Sequence, residues 1–575
     1  MPFRLSMVFS TAPTQSDCIL SYVRQSAFKV EAELRTSLEE TVREGWRGYR
    51  DAGEVYIKGK GFRMRAWANT DDLGAYYKDM GVCVNITVAR MLYGHYLENR
   101  GETWARDRAL EIIAFFLKSQ LPTGEVPDFW CEEDQCYRVL NCEMTEKGFL
   151  YNVSTMANAA VLLHQLYLEV QEQEGIDHPE WEEAAFRVAD YLCRRIGADG
   201  ELGRLYNREG EFDEVCTESW PLIALDYFHA FSGNAGYEAA RGRLEHWMWE
   251  NFVRWNDFKN TVFDDTSWKP GGPQLDNHDM LDVGNIAAYC VIRYRRTGDA
   301  EYLQKAKDVV SYLWLNHVPV QIRGYRNVTK GLVQEQKIWS MYDTPWLLNT
   351  FRYLPYLSMK TGDPFYMGFY QVLTQAMSFY QYKGEKYPFF CIGLDPLPFR
   401  EGPNDSWGEV FGDGRVKRAF ERPDSSDIWF DVNFPDGKIG IAVCPYGSYF
   451  LADLNSKETY YYVGGEDWGM GLDYNPAFRV DFTGKPYILA ASSLLASAWF
   501  DEGDCALNAV VNENAKKGGL LKVRLNGYEA GEVLKNGLRL EPSEYRYSPD
   551  TDSLDIPYRH ETPSVSFVIR MKRRA

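Results

Sequence analysis

The feature that most constrains this chain is a break that keeps returning. An aromatic-rich helical stretch stops at a glycine, and a second helical stretch begins at once. The clearest copies read Arg295-Arg296-Thr297-Gly298-Asp299-Ala300-Glu301-Tyr302 and Met359-Lys360-Thr361-Gly362-Asp363-Pro364-Phe365-Tyr366. Looser copies read Glu98-Asn99-Arg100-Gly101-Glu102 and Phe231-Ser232-Gly233-Asn234-Ala235-Gly236-Tyr237, and another sits near Gly175. Glycine takes the left-handed conformation that closes a helix, and the Asp or Asn behind it caps the next one. Pro364 falls where the first turn of a helix tolerates proline. The breaks recur roughly every 60 to 75 residues, a spacing that reads as one helical hairpin per repeat. Hairpins repeated in this way stack into a solenoid or close into a ring with a central cavity.

Periodicity supplies the hairpins. Five segments, near 80–99, 150–172, 216–232, 281–297 and 338–360, carry apolar or aromatic residues on more than one face, as in Ile286-Ala287-Ala288-Tyr289-Cys290-Val291-Ile292. A helix apolar nearly all round is buried on both sides, so these are expected to form an inner layer. Partners near 103–118, 180–196, 236–252, 300–315 and 364–382 are more amphipathic and suit an outer layer. A further helix is expected within 20–43. Inner-to-outer links are the short glycine turns. Outer-to-inner links are long, as in Thr123-Gly124-Glu125-Val126-Pro127-Asp128-Phe129-Trp130 and in Trp268 through Asp279. Long loops in a compact domain usually carry function, and these all emerge on one rim, at the starts of the inner helices.

After about residue 385 the helical period gives way to alternation, in Ile428–Phe434, Leu521–Leu525 and Ser564–Ile569. Asp436-Gly437, Asn526-Gly527 and Asn536-Gly537 supply hairpin turns. The expected division is a helical domain over 1–385, a linker packed on it over 386–424, and an antiparallel β-sandwich over 425–575.

Composition narrows the function. Aromatic residues make up 15% of the chain, with 17 Trp and 38 Tyr, more than a core demands and suited to flat, amphipathic ligands such as sugar rings. A net charge of −19 argues against a general nucleic-acid binder. No apolar run is long enough to span a membrane. The N-terminus has one positive charge and no long apolar core, and the eleven cysteines are scattered, so a cytoplasmic protein with reduced thiols is expected. Cys131, Cys136, Cys142 and Cys216 lie near acids on the rim, but without the close pairing of structural zinc, so no metal is expected. There is no phosphate loop, no His-Glu-x-x-His and no Gly-x-Ser-x-Gly elbow, and nothing calls for a cofactor.

Repeated Thr-Gly-Asp hairpins, long Gly- and acid-bearing loops opening the inner helices, and a C-terminal β-sandwich together resemble the (α/α)6-toroid carbohydrate-active enzymes, a group of glycoside hydrolases and polysaccharide lyases. The resemblance is one of architecture and covers nearly the whole chain. It implies an oligosaccharide as the partner molecule, and it sets an expectation for function without fixing it, because the same toroid serves other chemistries.

Glycoside hydrolysis typically needs two carboxyl groups across the scissile bond. The rim offers a surplus: Asp72 (with Asp71), Glu143 (with Glu146), Glu218, Asp279 and Asp282 (with Asp276), Glu335 and Asp343. Several lie within a few residues of Trp or Tyr, and an apolar neighbour raises a carboxyl pKa, as an acid catalyst requires. Helix capping explains many of the same acids. Trp67, Trp130, Trp220, Trp268, Trp339 and Trp346 are candidate sugar platforms. A lyase acting on a uronate would instead use His278, Tyr151 with Asn152, Tyr342, and Arg323 or Arg326, the arginines pairing with a carboxylate. A hydrolase acting on uronate-containing sugars would use the same groups for binding. The leading expectation is a glycoside hydrolase acting on oligosaccharides; a lyase and a non-catalytic carbohydrate-binding protein are the alternatives. Sugar, linkage and oligomeric state stay open at this point.

Overall fold

A computed structural model describes residues 46–63, 66–67, 79–138, 148–212, 215–255, 280–315, 353–354, 357, 361, 366, 390–391, 442–444, 486–491, 494–501, 503–512, 518–525, 527–549, 552–562 and 564–574. Within them run eight helices: α1 (Val84–Glu98), α2 (Thr103–Ser119), α3 (Val153–Glu174), α4 (Pro179–Arg195), α5 (Trp220–Ser232), α6 (Ala235–Asn251), α7 (Met280–Thr297) and α8 (Ala300–Leu315). They pair as four consecutive hairpins, and the odd-numbered helices also pack on one another in sequence order, α1 on α3, α3 on α5 and α5 on α7. The N-terminal region is therefore two-layered and resembles an α/α toroid. The helices expected near 20–43, 338–360 and 364–382 lie outside the described residues, apart from single positions.

The two layers follow from the sequence. Inner helix α3 buries residues on every face, from Val153 to Val170. Outer helix α4 buries one stripe, Trp181, Ala184, Ala185, Val188, Tyr191 and Leu192, at helical spacing, and leaves its acids and arginines to solvent. Gly175, Gly233 and Gly298 close α3, α5 and α7 in the left-handed conformation, at φ of 67°, 70° and 71°. Asn234 and Asp299 then cap α6 and α8, accepting from Gly236 N–H at 2.8 Å and Glu301 N–H at 2.9 Å. The first copy of the break differs. The α1 helix ends at Asn99, whose side-chain amide donates to the His95 carbonyl at 3.0 Å, and Gly101 does not adopt positive φ. The asparagine side chain satisfies the helix end that glycine satisfies elsewhere.

A second punctuation appears where the outer helices α2 and α4 return to the rim. In Leu121–Glu125 the Leu121 N–H donates to the Glu125 carbonyl at 2.8 Å, and in Gly197–Glu201 the Gly197 N–H donates to Glu201 in the same way at 2.8 Å. The fourth residue of each turn is a glycine at positive φ, Gly124 at 104° and Gly200 at 100°. Each backbone presses on the next outer helix: a Cβ on Gly124 would lie 2.2 Å from the Arg187 carbonyl oxygen, and one on Gly200 would lie 2.2 Å from that of Arg243. Strain and collision act together here, so Gly124→Ala and Gly200→Ala are each expected to destabilise the helical region by more than about 1 kcal/mol. Chemical denaturation of the two variants checks this; an unchanged midpoint for both would contradict it.

Buried polar contacts pin the inner layer away from the rim. Arg90 of α1 pairs with Glu169 of α3 at 3.1 Å. His164 of α3 meets Tyr227 Oη of α5 at 2.8 Å, and burial holds the imidazole down at about 4, hence neutral. Asp226 of α5 pairs with Arg293 of α7 at 2.6 Å and with Arg296 at 3.4 Å. Three successive inner interfaces thus each carry their own polar contact.

Short strands decorate the rim links. β1 (Tyr56–Ile57) pairs with β2 (Gly61–Phe62). β3 (Ala66–Trp67) lies in a small sheet with two later strands, described below. β4 (Asp79–Gly81), β5 (Phe129–Cys131) and β6 (Cys136–Arg138) form a three-stranded antiparallel sheet, and β7 (Tyr151–Asn152) pairs with β8 (Leu205–Tyr206). The partners of β3 are β10 (Ala442–Cys444) and, beyond it, β9 (Phe390–Cys391), so residues from both halves of the chain share that sheet.

The C-terminal region is antiparallel β-structure. One sheet has the order β11 (Tyr487–Ala491), β14 (Gly518–Arg524), β18 (Ser553–Arg559), β17 (Arg546–Ser548). The other runs β12 (Leu494–Asp501), β13 (Ala506–Asn512), β19 (Ser564–Arg573), β15 (Tyr528–Lys535), β16 (Leu538–Arg539). Alternate residues of β18 and β19 are buried, and Tyr558 of the first sheet meets Phe567 of the second with ring centroids 5.4 Å apart. Asn536 and Gly537, at φ of 50° and 78°, form the tight β15–β16 turn that the Asn-Gly pair predicts. The runs at 428–434 and the Asp436-Gly437 turn lie outside the described residues.

Candidate active site

Two links converge on the first turn of α3. The α2-to-α3 link brings Asp128, whose N–H donates to the Leu150 carbonyl at 2.8 Å while its carbonyl accepts from Val82 N–H at 2.7 Å. Asp128 is thereby stitched between the approaches to α1 and α3. The α4-to-α5 link brings Arg204 and Glu218. Its carbonyl at Arg204 accepts from Val153 N–H at 3.0 Å, and Cys216 N–H donates to the Leu202 carbonyl at 2.7 Å. Glu218 stands two residues before α5, with Ser219 at the N-cap position.

The side chains close this arrangement. Asn152 caps α3, its Oδ1 accepting from the N–H of Ser154 at 3.0 Å and of Thr155 at 3.4 Å. The next two polar side chains divide between the two acids. Ser154 Oγ donates to Glu218, and Thr155 Oγ1 donates to Asp128 Oδ1 at 2.9 Å. Arg204 Nε lies 3.9 Å from Glu218 Oε1. All six groups are buried: Asp128 is 4% exposed, Glu218 1% and Arg204 3%. Cys83, just before α1, is buried nearby, and Cys216 donates through Sγ to the Glu218 carbonyl at 3.6 Å. Two buried polar atoms here, Ser219 Oγ and Glu218 Oε1, have no hydrogen-bond partner among the described residues, while the Asn152 amide faces Asp128.

Burial dominates the electrostatics. It pushes the Asp128 carboxyl up to about 7, against the Thr155 hydroxyl and the Arg204 charge, and the Glu218 charge adds to the rise. Glu218 is likewise pushed up to about 7 by burial, with Arg204 and then Ser154 opposing. One guanidinium thus serves two carboxyls. Among the described residues, two ionised carboxyls against one guanidinium leave a net buried negative charge, and protonating one of them removes it. The pair is therefore expected to share a proton near neutral pH.

This arrangement has a consequence for stability. Both folded-state values lie above the unfolded ones near 4, so the folded chain holds extra protons between about pH 4 and 7. The stabilisation from the protonated pair is complete below about pH 4 and is lost as pH rises through about 7. Replacing Asp128 by Asn is expected to flatten this limb, so that the variant gains on the parent as pH rises from about 6 to 8. Denaturation midpoints of the two proteins over that range are the check; parallel curves would contradict it.

The other candidates fall as follows. Tyr151 is buried in β7, and Trp220, also buried, is the first residue of α5. Trp130 is half-buried in β5, edge-on to Phe115 and Tyr137 at 5.6 and 5.0 Å, and its indole N–H donates to Glu132 at 2.8 Å. Trp67 lies in β3 and Asp282 in the first turn of α7, but their side chains are outside the described residues. So are Asp72, Glu143, Trp268, His278, Asp279, Arg323, Arg326, Glu335, Trp339, Tyr342, Asp343 and Trp346. Of the acids singled out by sequence, Glu218 belongs to the cluster. Asp128, Arg204, Ser154 and Thr155 were not singled out. Asp128 nevertheless sits in Val126-Pro127-Asp128-Phe129-Trp130, the apolar company that marks a carboxyl for a raised pKa.

The described residues contain no group of three side chains placed to hold a metal ion and no helix long and apolar enough to cross a membrane. The sequence matches no family profile, and no curated protein matches it. Solved structures do resemble it in fold. An unsaturated glucuronyl hydrolase from Bacillus sp. GL1 is 15% identical, covering 72% of this chain and 94% of its own, at a TM-score of 0.43. A GH76 α-mannanase from Bacteroides thetaiotaomicron is 11% identical over 61% of this chain and 86% of its own, at 0.41. A sugar epimerase from a ruminal bacterium is 11% identical over 65% and 90%, at 0.43. Likeness at this level concerns the course of the chain, and the chemistry has to be read from the residues.

Proposed function

We propose that this chain is a glycoside hydrolase acting on oligosaccharides, with Asp128 and Glu218 as its acid/base pair. The observation that carries the reading is the pair itself: two buried carboxyls at the inner-helix rim, bonded to consecutive hydroxyls of one helix start, with Arg204 beside Glu218 and its charge felt by both. Glycosidic cleavage needs one carboxyl group that can donate a proton to the leaving oxygen and a second that is ionised to activate water or to attack. A cluster that is neutral when it holds one proton supplies both states at neutral pH. The Ser219 hydroxyl, buried beside the pair, adds a donor and an acceptor of the kind sugar hydroxyls engage.

The test is an incubation panel of neutral and uronate-containing oligosaccharides, read by mass spectrometry. Products that together weigh one water more than the substrate support hydrolysis. Products that sum to the substrate mass, with ultraviolet absorbance from an unsaturated uronate, would replace the reading with β-elimination.

A further inference from the structure

We propose that Arg204 is a positioning residue that decides which carboxyl of the pair keeps the shared proton: its guanidinium lies against Glu218 and holds it ionised, leaving the proton on Asp128. This deepens the hydrolase reading and rests on it for the roles that follow: Asp128 becomes the proton donor, and Glu218 the base or nucleophile.

The geometry is unequal on the two sides. Arg204 Nε faces Glu218 Oε1 at 3.9 Å, and no comparable ion pair joins Arg204 to Asp128 among the described residues. Arg204 and Glu218 both belong to the α4-to-α5 link, so one segment of backbone sets their separation, and the Gly203–Val215 bridge and the Cys216–Leu202 hydrogen bond fasten it. Asp128 comes from a different link. The groups facing it are Thr155 and Asn152 of α3, Cys83 before α1, and Arg204 and Glu218 across the cluster. Those facing Glu218 are Arg204, Ser154, Cys216 and Asp128. Arg204 is thus the one cation named on either side; its charge reaches both acids, but only Glu218 lies within ion-pair distance of it. A charge against one of two competing carboxylates favours ionisation there and pushes the proton to the other. Each acid accepts one hydroxyl hydrogen bond, from Ser154 or Thr155, so hydroxyl bonding does not reverse the order.

Infrared spectroscopy of the full chain tests this without a substrate, which separates its failure from failure of the hydrolase reading. A buried protonated carboxyl gives a C=O stretch apart from the carboxylate bands. The parent protein is expected to show such a band near neutral pH, lost in Asp128→Asn. The band should shift in protein labelled with carboxyl-13C aspartate and stay in place in protein labelled with 13C glutamate. In Arg204→Gln both carboxyls should retain protons at that pH, about doubling the band area and adding a component that moves with the glutamate label. Arg204→Lys, which keeps the charge, should restore the parent pattern and shows that a change in Arg204→Gln is not mere loss of fold. A parent band that moves with the glutamate label would overturn the proposal. So would an Arg204→Gln spectrum identical to the parent's.

Discussion

Asp128→Asn and Glu218→Gln are each expected to lower turnover by about 10²- to 10⁴-fold, the contribution usual for a positioned proton donor or acceptor. The amides keep the volume and most of the hydrogen bonding of the carboxyls, so the Thr155 and Ser154 contacts can persist while the proton chemistry is removed. The double variant should fall little below the worse single one, because the groups act on the same step. A purely structural pair behaves differently. Its loss would move the denaturation midpoint and leave the turnover of the folded fraction unchanged. Steady-state kinetics on whichever oligosaccharide the panel identifies, beside a denaturation curve for each variant, separates the two cases. Turnover within threefold of the parent in both variants would remove these residues from the chemistry.

The second large effect is on stability. Asp226 is fully buried in α5 and answers two arginines of α7, Arg293 at 2.6 Å and Arg296 at 3.4 Å, with Arg296 also donating to the Asp226 carbonyl at 2.7 Å. Asp226→Ala removes the acid and leaves Arg293 largely desolvated. Breaking a buried pair from one side costs about 3 to 5 kcal/mol. The lower end is expected, because Glu238 still lies 3.4 Å from Arg293; it is held down at about 2, chiefly by its hydrogen bonds from Arg241, and stays ionised. Replacing Asp226 and its nearer partner together, Asp226→Leu with Arg293→Met, should recover part of the loss, since the Arg293 charge goes with its acid and only the more exposed Arg296 loses a carboxylate. Hydrogen exchange in α5 and α7 and the urea midpoint of the helical region measure both. A single substitution costing under about 1 kcal/mol would show that the pair is not what joins these helices.

The helical layers were legible because their signal is local. Apolar periodicity and a left-handed glycine mark a helix wherever it ends up in space, and the segment near 281–297 corresponds to Met280–Thr297. The outer segment near 180–196 corresponds to Pro179–Arg195. The cluster was less legible because it is assembled across sequence. Glu218 was visible as an acid poised before an inner helix. Asp128 precedes a short strand instead, and it reaches α3 through backbone bonds to Leu150 and Val82, contacts that no spacing rule encodes. No local pattern marks Arg204, and the turn at Gly200 and the β7–β8 pairing bring it to the cluster. Ser154 and Thr155 gain their part only once the two acids are placed against them.

The polar contacts between inner helices have a bearing on how such a chain can change length. Solenoids built from equivalent repeats accept the gain or loss of a unit, because every junction is the same. Here each junction has its own chemistry: guanidinium to carboxylate between α1 and α3, imidazole to phenol between α3 and α5, carboxylate to guanidinium between α5 and α7. Excising the α3–α4 hairpin would set Arg90 opposite a helix whose buried acid already answers Arg293. Excising α5–α6 would set His164 opposite two arginines. The hairpins share a shape without being interchangeable, and their order is written into the buried faces as a set of keyed joints.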